Sequence, residues 1–179
     1  MNLCIFTHTV RTETLPVALK SYKHVFGNPS EIQIYKDGVN STGLADGYIK
    51  AIQSNTDDYL FMLEHDWEFI RKPDHSLQEI CEMMKRDGIT HLRFNKRENI
   101  IKKKYDTWLT DKGWHCETPF VSNNPHIIDR KAYLEYIKNG WIQRSKGSKG
   151  IEEIISKHIN GAVYGRLGHP QMVRHLNGR

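Results

Sequence analysis

Residues 60–69 read LFMLEHDWEF, and the abrupt change from apolar to acidic residues in this stretch decides the fold. The apolar run YLFML follows the acidic pair at 57–58, which is typical of a turn, and has the length and composition of a buried β-strand. The triplet Glu-His-Asp at 64–66 comes directly after this run. The sequence therefore predicts a strand that carries a cluster of acidic side chains at its carboxyl end.

Strand and helix patterns alternate on the amino-terminal side of this stretch. LCIFTH at 3–8 and EIQIY at 31–35 predict strands, and apolar residues at helical spacing predict a helix after each. The apolar helix faces contain Leu15, Ala18, Leu19, Tyr22, Val25 and Phe26 in the first helix and Leu44, Tyr48 and Ile52 in the second. This order predicts right-handed βαβ units, so we expect a Rossmann-like α/β fold with a mostly parallel central sheet flanked by helices.

Three polar segments, THTVR, KDG and EHDWE, follow the three predicted strands. The carboxyl ends of parallel strands meet at one edge of a sheet, and open α/β sheets bind their ligands at that edge. We therefore expect these segments to converge on one site although they are far apart in the sequence.

Further elements are predicted after residue 70. Ser76 and Glu79 have the spacing of a capping box at a helix start, and THLRF at 90–94 predicts a strand. A short strand at 126–128 precedes Asp129, which is a predicted helix cap. The apolar residues of 151–159 predict a last, short helix.

Composition restricts the class of protein. Hydrophobic residues make up 38% of the chain and charged residues 26%, so a globular protein is expected. No apolar run approaches the roughly 18 to 20 residues that span a bilayer, and MNLCIFTHTV lacks the basic start of a signal peptide. The three cysteines form no CxxC pair, which argues against a disulfide framework or a cysteine zinc site and favours a cytoplasmic location. The net charge of +5 favours an anionic ligand or partner, although lysine-rich solvated faces explain it equally well.

The acidic triplet has the chemistry of a metal site. On an extended chain, residues two apart point to the same side, so Glu64 and Asp66 are expected to face one ion. Carboxylate oxygens suit Mg²⁺ and Mn²⁺, and Mg²⁺ typically takes one or two protein carboxylates and leaves its other positions to water and phosphate. The alternative is a strand end with solvated acids.

The order of these motifs resembles the GT-A nucleotide-diphospho-sugar glycosyltransferases, in particular the family-2-like group. The resemblance covers about 70 residues and comprises FTHTVRTETLPVALKSY, the strand end IYKDGVNS, the Gly47 to Ala51 spacing in the next helix, and the Asp-x-Asp-like triplet at 64–66. Two features depart from the family pattern. Leu44 and Ala45 stand where Arg-Asn is usual, and the first acid of the triplet is Glu.

This resemblance implies a metal-dependent glycosyltransferase, hexosyl- or pentosyltransferase, that moves a sugar from a nucleotide-diphosphate sugar to a hydroxyl acceptor, with inversion favoured. The implied nucleotide-sugar ligands are Thr7, Thr9, Arg11, Asp37, Glu64 and Asp66. The implied metal ligands for Mn²⁺ or Mg²⁺ are Asp66, the stronger candidate, then Glu64 and the late histidine His175. Asp37 has an alternative role as a turn residue, and His175 as a surface histidine. One domain of 1–179 is expected, with 1–70 as the nucleotide-sugar half and 71–179 as the acceptor half.

A catalytic base and an acceptor site are also predicted in the second half. An inverting transferase needs a carboxylate that takes the acceptor proton, and the resemblance implies Glu152 or Glu153. Their alternative role is that of acids favoured at a helix start by the macrodipole. Basic and aromatic residues mingle from 93 onward, which indicates acceptor contacts, and the candidates are Arg93, Lys96, Arg97 and Trp114.

The predicted acceptor is anionic, either a DNA or RNA with a modified base or a surface glycan, and a solvated basic loop is the alternative. Two other classes of protein stay open. A nucleotidyltransferase has a related core, but THTVRTET lacks the glycine expected of a phosphate loop. A non-catalytic nucleic-acid-binding module accounts for the basic stretch but leaves the acidic strand end unexplained.

Overall fold

The computed structural model describes residues 1–8, 13–37, 44–101, 109–140, 142 and 159–176, with the side chains of His8, Asp37 and Leu44 excepted. The strands are β1 (Asn2–His8), β2 (Ile32–Asp37), β3 (Tyr59–Glu64), β4 (Trp67–Phe69), β5 (His91–Arg93), β6 (Thr110–Asp111), β7 (His115–Glu117), β8 (His126–Asp129), β9 (Gly161–Tyr164) and β10 (Val173–His175). The helices are α1 (Leu15–Phe26), α2 (Leu44–Ser54), α3 (Leu77–Asp87) and α4 (Arg130–Lys138). The helix predicted at 151–159 lies outside the described residues, apart from its last position.

The parallel half of the sheet is as the sequence predicted. β1 lies between β2 and β3 and runs parallel to both, so that Phe6 is beside Tyr35 on one strand and Glu64 on the other. The strands alternate with α1 and α2, as expected for two βαβ units. The ends of β1, β2 and β3 therefore share one edge of the sheet, which we call the carboxyl edge.

The prediction of a mostly parallel sheet is wrong for the second half. The large sheet has the order β2-β1-β3-β8-β5-β9-β7-β6, and β8 runs antiparallel to both β3 and β5. The physical reason lies at the carboxyl edge, where Phe94 N donates to Pro125 O at 2.8 Å. The chain thus leaves β5 and enters β8 at the same edge, so β8 must run back across the sheet. β7 is likewise antiparallel to its neighbours β9 and β6, which makes the whole sheet mixed.

Helices cover both faces of this sheet. Alternation along β1 separates two apolar clusters, because Leu3 and Ile5 face the cluster beneath α1 and α3, whereas Cys4 and Phe6 face the cluster beneath α2 and α4. None of the helices in the described parts of the chain is long and apolar enough to cross a membrane.

Helix caps confirm two local predictions. The Ser76 side chain accepts a hydrogen bond from Glu79 N while Glu79 Oε2 accepts one from Ser76 N, which completes the capping box of α3. Gly88 ends α3 with a left-handed φ of 67°. At α4, the side chain of Asp129 accepts from Ala132 N at 3.1 Å. These caps fix where each helix starts relative to the strand beside it.

Two neutral histidines are buried in the middle of the sheet. His91 and His126 stack with their ring centroids 4.4 Å apart. His91 Nδ1 is 2.7 Å from the Tyr133 hydroxyl, and His126 Nδ1 donates to Asn124 O at 2.6 Å. Burial lowers the pKa of His126 to about 4 and that of His91 well below its usual range. Both rings are therefore uncharged in the folded protein near neutral pH.

Stability is expected to fall as the pH drops below the ordinary histidine pKa of about 6.5. The histidines of the unfolded chain then take up protons, whereas the buried rings of the folded chain do not. Each ring therefore lowers the free energy of unfolding by up to about 1.4 kcal/mol per pH unit, until the pH reaches the pKa of that ring in the folded protein. Urea unfolding at about pH 7 and about pH 5 measures this loss. In His126→Phe the fall in the free energy of unfolding between these two pH values should be smaller by the contribution of about one histidine, whatever the absolute stability of the variant. An unchanged fall in His126→Phe contradicts the prediction.

Candidate active site

The acidic triplet forms a tight turn at the carboxyl edge. β3 ends at Glu64, His65 and Asp66 make the turn, and β4 begins at Trp67. The turn is attached to β1, because His65 N donates to Phe6 O at 2.9 Å. The expectation of an extended chain through 64–66 is therefore wrong, and simple alternation does not place Glu64 and Asp66 on one side. The turn is possible because β4 leaves the large sheet and pairs elsewhere.

A second, small sheet brings His175 to Asp66. β4 pairs antiparallel with β10, with His175 opposite Trp67. His175 Nε2 lies 3.0 Å from Asp66 Oδ2, and Leu176 N donates to Asp66 O at 2.7 Å. The two side chains are 13% and 15% exposed, so solvent screens their contact only partly. The Trp67 and His175 rings meet edge to face at 5.0 Å, which helps to fix the imidazole.

The remaining oxygen of Asp66 has the features of a cation ligand. Asp66 Oδ1 is buried and has no hydrogen-bond partner within the described residues. A buried carboxylate oxygen without a partner is costly, and a bound cation would relieve that cost. The described part of the chain holds no group of three or more His, Cys, Asp or Glu side chains arranged around one ion. Asp66 and His175 nevertheless fit Mn²⁺ or Mg²⁺ when phosphate and water complete the coordination shell of the ion.

The predicted nucleotide ligands are described only in part. Thr7 is buried on β1 and lies beside Lys36 of β2 in the sheet register. The backbone of Asp37 ends β2 beside His8, at the carboxyl edge, as the sequence predicted. Thr9 and Arg11 lie outside the described residues, and so do the candidate bases Glu152 and Glu153. Their roles stay predictions.

Three of the four predicted acceptor residues line one cavity, which we call the basic cleft. The cleft has a volume of about 280 Å³. Its lining residues are Arg93, Asn95, Lys96, Arg97, Glu98, Asn99, Ile100, Leu109, Ser122, Asn124 and Val163. The cleft adjoins the acidic turn, because Lys96 Nζ lies over the Trp67 ring, 5.9 Å from its centroid.

Trp114, the fourth predicted acceptor residue, is not part of this lining. Its indole Nε1 donates to Asp87 Oδ2 at 2.7 Å, and its ring packs against the core beneath α1 and α3. The Arg86 side chain and, to a smaller extent, the Trp114 indole hold the pKa of Asp87 well below its usual range, because both donate hydrogen bonds to its carboxylate. The geometry therefore gives Trp114 a structural contact and supplies no support for a role in sugar binding.

Two buried asparagines, which the sequence did not single out, hold the chain segment that leads to His175. Asn95 Nδ2 donates to Arg97 O, His169 O and Pro170 O, and Asn95 O accepts from Met172 N at 3.0 Å. Asn99 Nδ2 donates to the carbonyls of residues 164, 165 and 166. The loop before β10 thus depends on amide side chains rather than on a helix or strand.

Comparison by sequence finds no matching family model and no matching curated protein. Comparison of structures finds several solved proteins of the same fold. A197 from STIV superimposes with a TM-score of 0.54 at 16% identity, over 92% of this chain and 82% of that one. S. aureus TarS 1–349 gives a TM-score of 0.59 at 9% identity, over 98% of this chain and 60% of that one. The same TarS fragment in complex with UDP-GlcNAc gives 0.56 at 11% identity, over 97% of this chain and 58% of that one.

These likenesses define the class of fold. The described chain shares the α/β fold of these proteins and has a mixed sheet. The chain spans 60% or less of the TarS structures that it matches. At such low identity the comparisons show the fold alone.

Proposed function

We propose that this protein is a metal-dependent glycosyltransferase that moves a sugar from a nucleotide-diphosphate sugar to a hydroxyl acceptor with inversion. The observation that carries the proposal is the contact of Asp66 with His175. This contact joins the end of the third strand to the late β10 strand and leaves one buried carboxylate oxygen without a partner among the described residues. The glycosyltransferase-like fold and the UDP-GlcNAc complex of TarS support a nucleotide-sugar donor.

The proposed reaction exchanges two bonds at the anomeric carbon of the donor sugar. The acceptor oxygen forms a bond to that carbon while the carbon–oxygen bond to the nucleoside diphosphate breaks, and the bonding electron pair leaves with the diphosphate. A bound divalent cation would supply the positive charge that neutralises this leaving group. Asp66 would hold the cation, with His175 and Glu64 as the further candidate ligands. The contact at 3.0 Å supports a second proposed role for His175, which is to orient the Asp66 carboxylate.

The acceptor hydroxyl loses a proton in this reaction, so a general base is required. Glu152 or Glu153 is the proposed base on the strength of the sequence resemblance. Both residues lie outside the described parts of the chain, and the choice between them stays open. A retaining outcome and the identity of the transferred sugar, hexose or pentose, are left to experiment.

A thermal-shift panel of nucleoside diphosphates, nucleoside triphosphates and sugar nucleotides, each with and without Mn²⁺, tests the proposal. UDP-GlcNAc is the first donor to use, because a TarS structure binds it. A ligand at about 100 times its Kd stabilises the folded state by about 2.7 kcal/mol. For a chain of this length the expected rise in Tm is roughly 5 to 10 °C, and it should require the metal.

Two results of this panel contradict the proposal. The first is the lack of a metal-dependent shift with every diphosphate and sugar nucleotide tested. The second is a shift confined to nucleoside triphosphates, since that pattern belongs to a nucleotidyltransferase. For each sugar nucleotide that shifts the Tm, candidate acceptors are then added, and the nucleoside diphosphate that is released is measured.

A further inference from the structure

We propose that a cavity between α1, α3 and the start of β3 is a second ligand site, which binds a small uncharged molecule with an aromatic ring and a carbonyl oxygen. We call it the amino-edge cavity, and its volume is about 450 Å³. Its described lining residues come from α1, α3, the starts of β1 and β3 and the turn at 28–30. Each of these stretches lies well away, along the chain, from the segments that the structure does not describe.

The amino-edge cavity lies at the opposite end of the sheet from the acidic turn. Tyr59, which lines the cavity, is the first residue of β3, and Glu64 is the last. At about 3.3 Å per residue, the two ends of this strand are roughly 16 Å apart. A molecule in the cavity therefore does not contact the proposed cation site, and its binding can be measured without metal or sugar nucleotide.

The Tyr22 side chain on α1 is the feature that points to a ligand. Tyr22 is 0% exposed and forms the floor of the cavity. Its hydroxyl is buried and has no hydrogen-bond partner in the described chain. Burial, and to a smaller extent the Cys81 thiol, raises the pKa of Tyr22 well above its usual range, so the hydroxyl keeps its proton and can donate it. A buried donor without an acceptor is costly, and a ligand oxygen against Tyr22 would relieve that cost.

The walls of the cavity favour an uncharged aromatic ring. Met1, Tyr59, Leu77 and Cys81 are half-buried and pack against the core beneath α1 and α3, so their remaining surface is available to a ligand. Aromatic rings and sulfur atoms both make favourable contacts with an aromatic ligand. The polar and acidic residues that line the cavity are exposed or half-buried, at its rim. A charged group carried down to Tyr22 would lose its hydration, which selects a neutral acceptor such as a carbonyl oxygen.

Cys81 provides a reporter of the occupied cavity. Cys4 and Cys116 are buried, and Cys81 is the one cysteine of the three that is partly exposed. Alkylation of the native protein by iodoacetamide, followed by intact mass spectrometry, therefore measures access to the cavity wall. Burial raises the pKa of Cys81 to about 11, so the reaction is slow enough to follow.

Benzamide is the probe because it combines an aromatic ring with a carbonyl oxygen, and benzylamine and benzoate are its cationic and anionic matches. A probe of this size is expected to bind with a Kd of about 1 mM. By mass action, about 10 mM benzamide should then slow the alkylation of Cys81 about tenfold. The two charged matches should slow it much less, because the floor of the cavity excludes charge.

Tyr22→Phe tests the hydroxyl. The variant keeps the ring that packs edge to face on Phe61 and removes a group without a partner in the described chain, so the fold should be kept. We expect its Kd for benzamide to be at least about fivefold higher, which is the contribution of one neutral hydrogen bond. Tyr133→Phe is the matched control, because Tyr133 is equally buried but lies beneath α2 and α4, 2.7 Å from His91 Nδ1. Its Kd for benzamide should equal that of the wild type.

Each other outcome overturns the proposal. If benzamide does not slow the alkylation of Cys81, the cavity does not bind this class of molecule. Equal protection of the wild type and Tyr22→Phe means that the Tyr22 hydroxyl does not recognise the ligand. Protection mainly by benzylamine or benzoate means that the rim selects a charge. Equal loss of protection in Tyr22→Phe and Tyr133→Phe means that both changes act through the fold. None of these results depends on donor or metal, so each is distinct from a failure of the proposed function.

Discussion

Asp66→Asn is expected to lower sugar transfer by about 10²-fold or more and to abolish the metal-dependent Tm shift with the donor. The side chain keeps its shape but loses its charge, so the oxygen that is buried without a partner in the described structure no longer attracts a cation. Loss of a metal that stabilises the leaving group is worth several kcal/mol in the transition state, which corresponds to this factor. Release of nucleoside diphosphate, measured at saturating Mn²⁺, and the thermal shift together check the prediction.

The matched control for this variant is Asp58→Asn. Asp58 is an exposed acid just before β3, at the opposite end of the same strand, and its replacement should leave turnover and donor binding unchanged. If Asp66→Asn keeps its metal-dependent donor shift, Asp66 does not hold the cation and the acidic turn has a structural role. Unfolding curves of both variants check that the fold is kept, because the contact with His175 is mostly buried and its loss is expected to lower the stability.

The first half of the fold could be predicted from the sequence because its elements are long and locally consistent. β1 and β3 have seven and six residues, and α1 and α2 have twelve and eleven, enough to show apolar runs and helical spacing. The later strands have two to four residues. A strand such as GAVY, buried at every position, shows no alternation that a sequence could reveal. The direction of β8 depends on the edge at which the chain re-enters the sheet, and this is set by the tertiary structure rather than by the local sequence.

The candidate site could be predicted less completely. Asp66 was identifiable because it follows a predicted buried strand, and His175 only through the family resemblance. The turn at 65–66 could not be seen, because EHDWE is equally compatible with a continuous strand. Asn95 was hidden for a different reason. An asparagine in a polar stretch normally indicates a turn, and its burial against carbonyls from a distant segment depends on the folded chain.

The other large effect is expected from Asn99→Ala, which should lower the free energy of unfolding by about 2 to 4 kcal/mol. Asn99 is only 2% exposed, and its side-chain Nδ2 lies 2.9 Å from both Tyr164 O and Gly165 O. Its removal leaves these carbonyls buried without their donor and opens a small cavity. Gly165 has a φ of 88°, a conformation that the lost hydrogen bond no longer supports.

Asn160→Ala is the matched control because it removes the same side chain from an exposed position. Asn160 Nδ2 donates to one carbonyl, Gly88 O, at 2.8 Å, and water can replace that donor. We expect a loss below about 1 kcal/mol there, measured by urea unfolding of both variants beside the wild type. Equal losses in the two variants show that the carbonyls near Asn99 find other donors. A large loss in Asn99→Ala alone, accompanied by weaker metal-dependent donor binding, links the loop at 164–169 to the placement of His175, because the chain runs directly from that loop into β10.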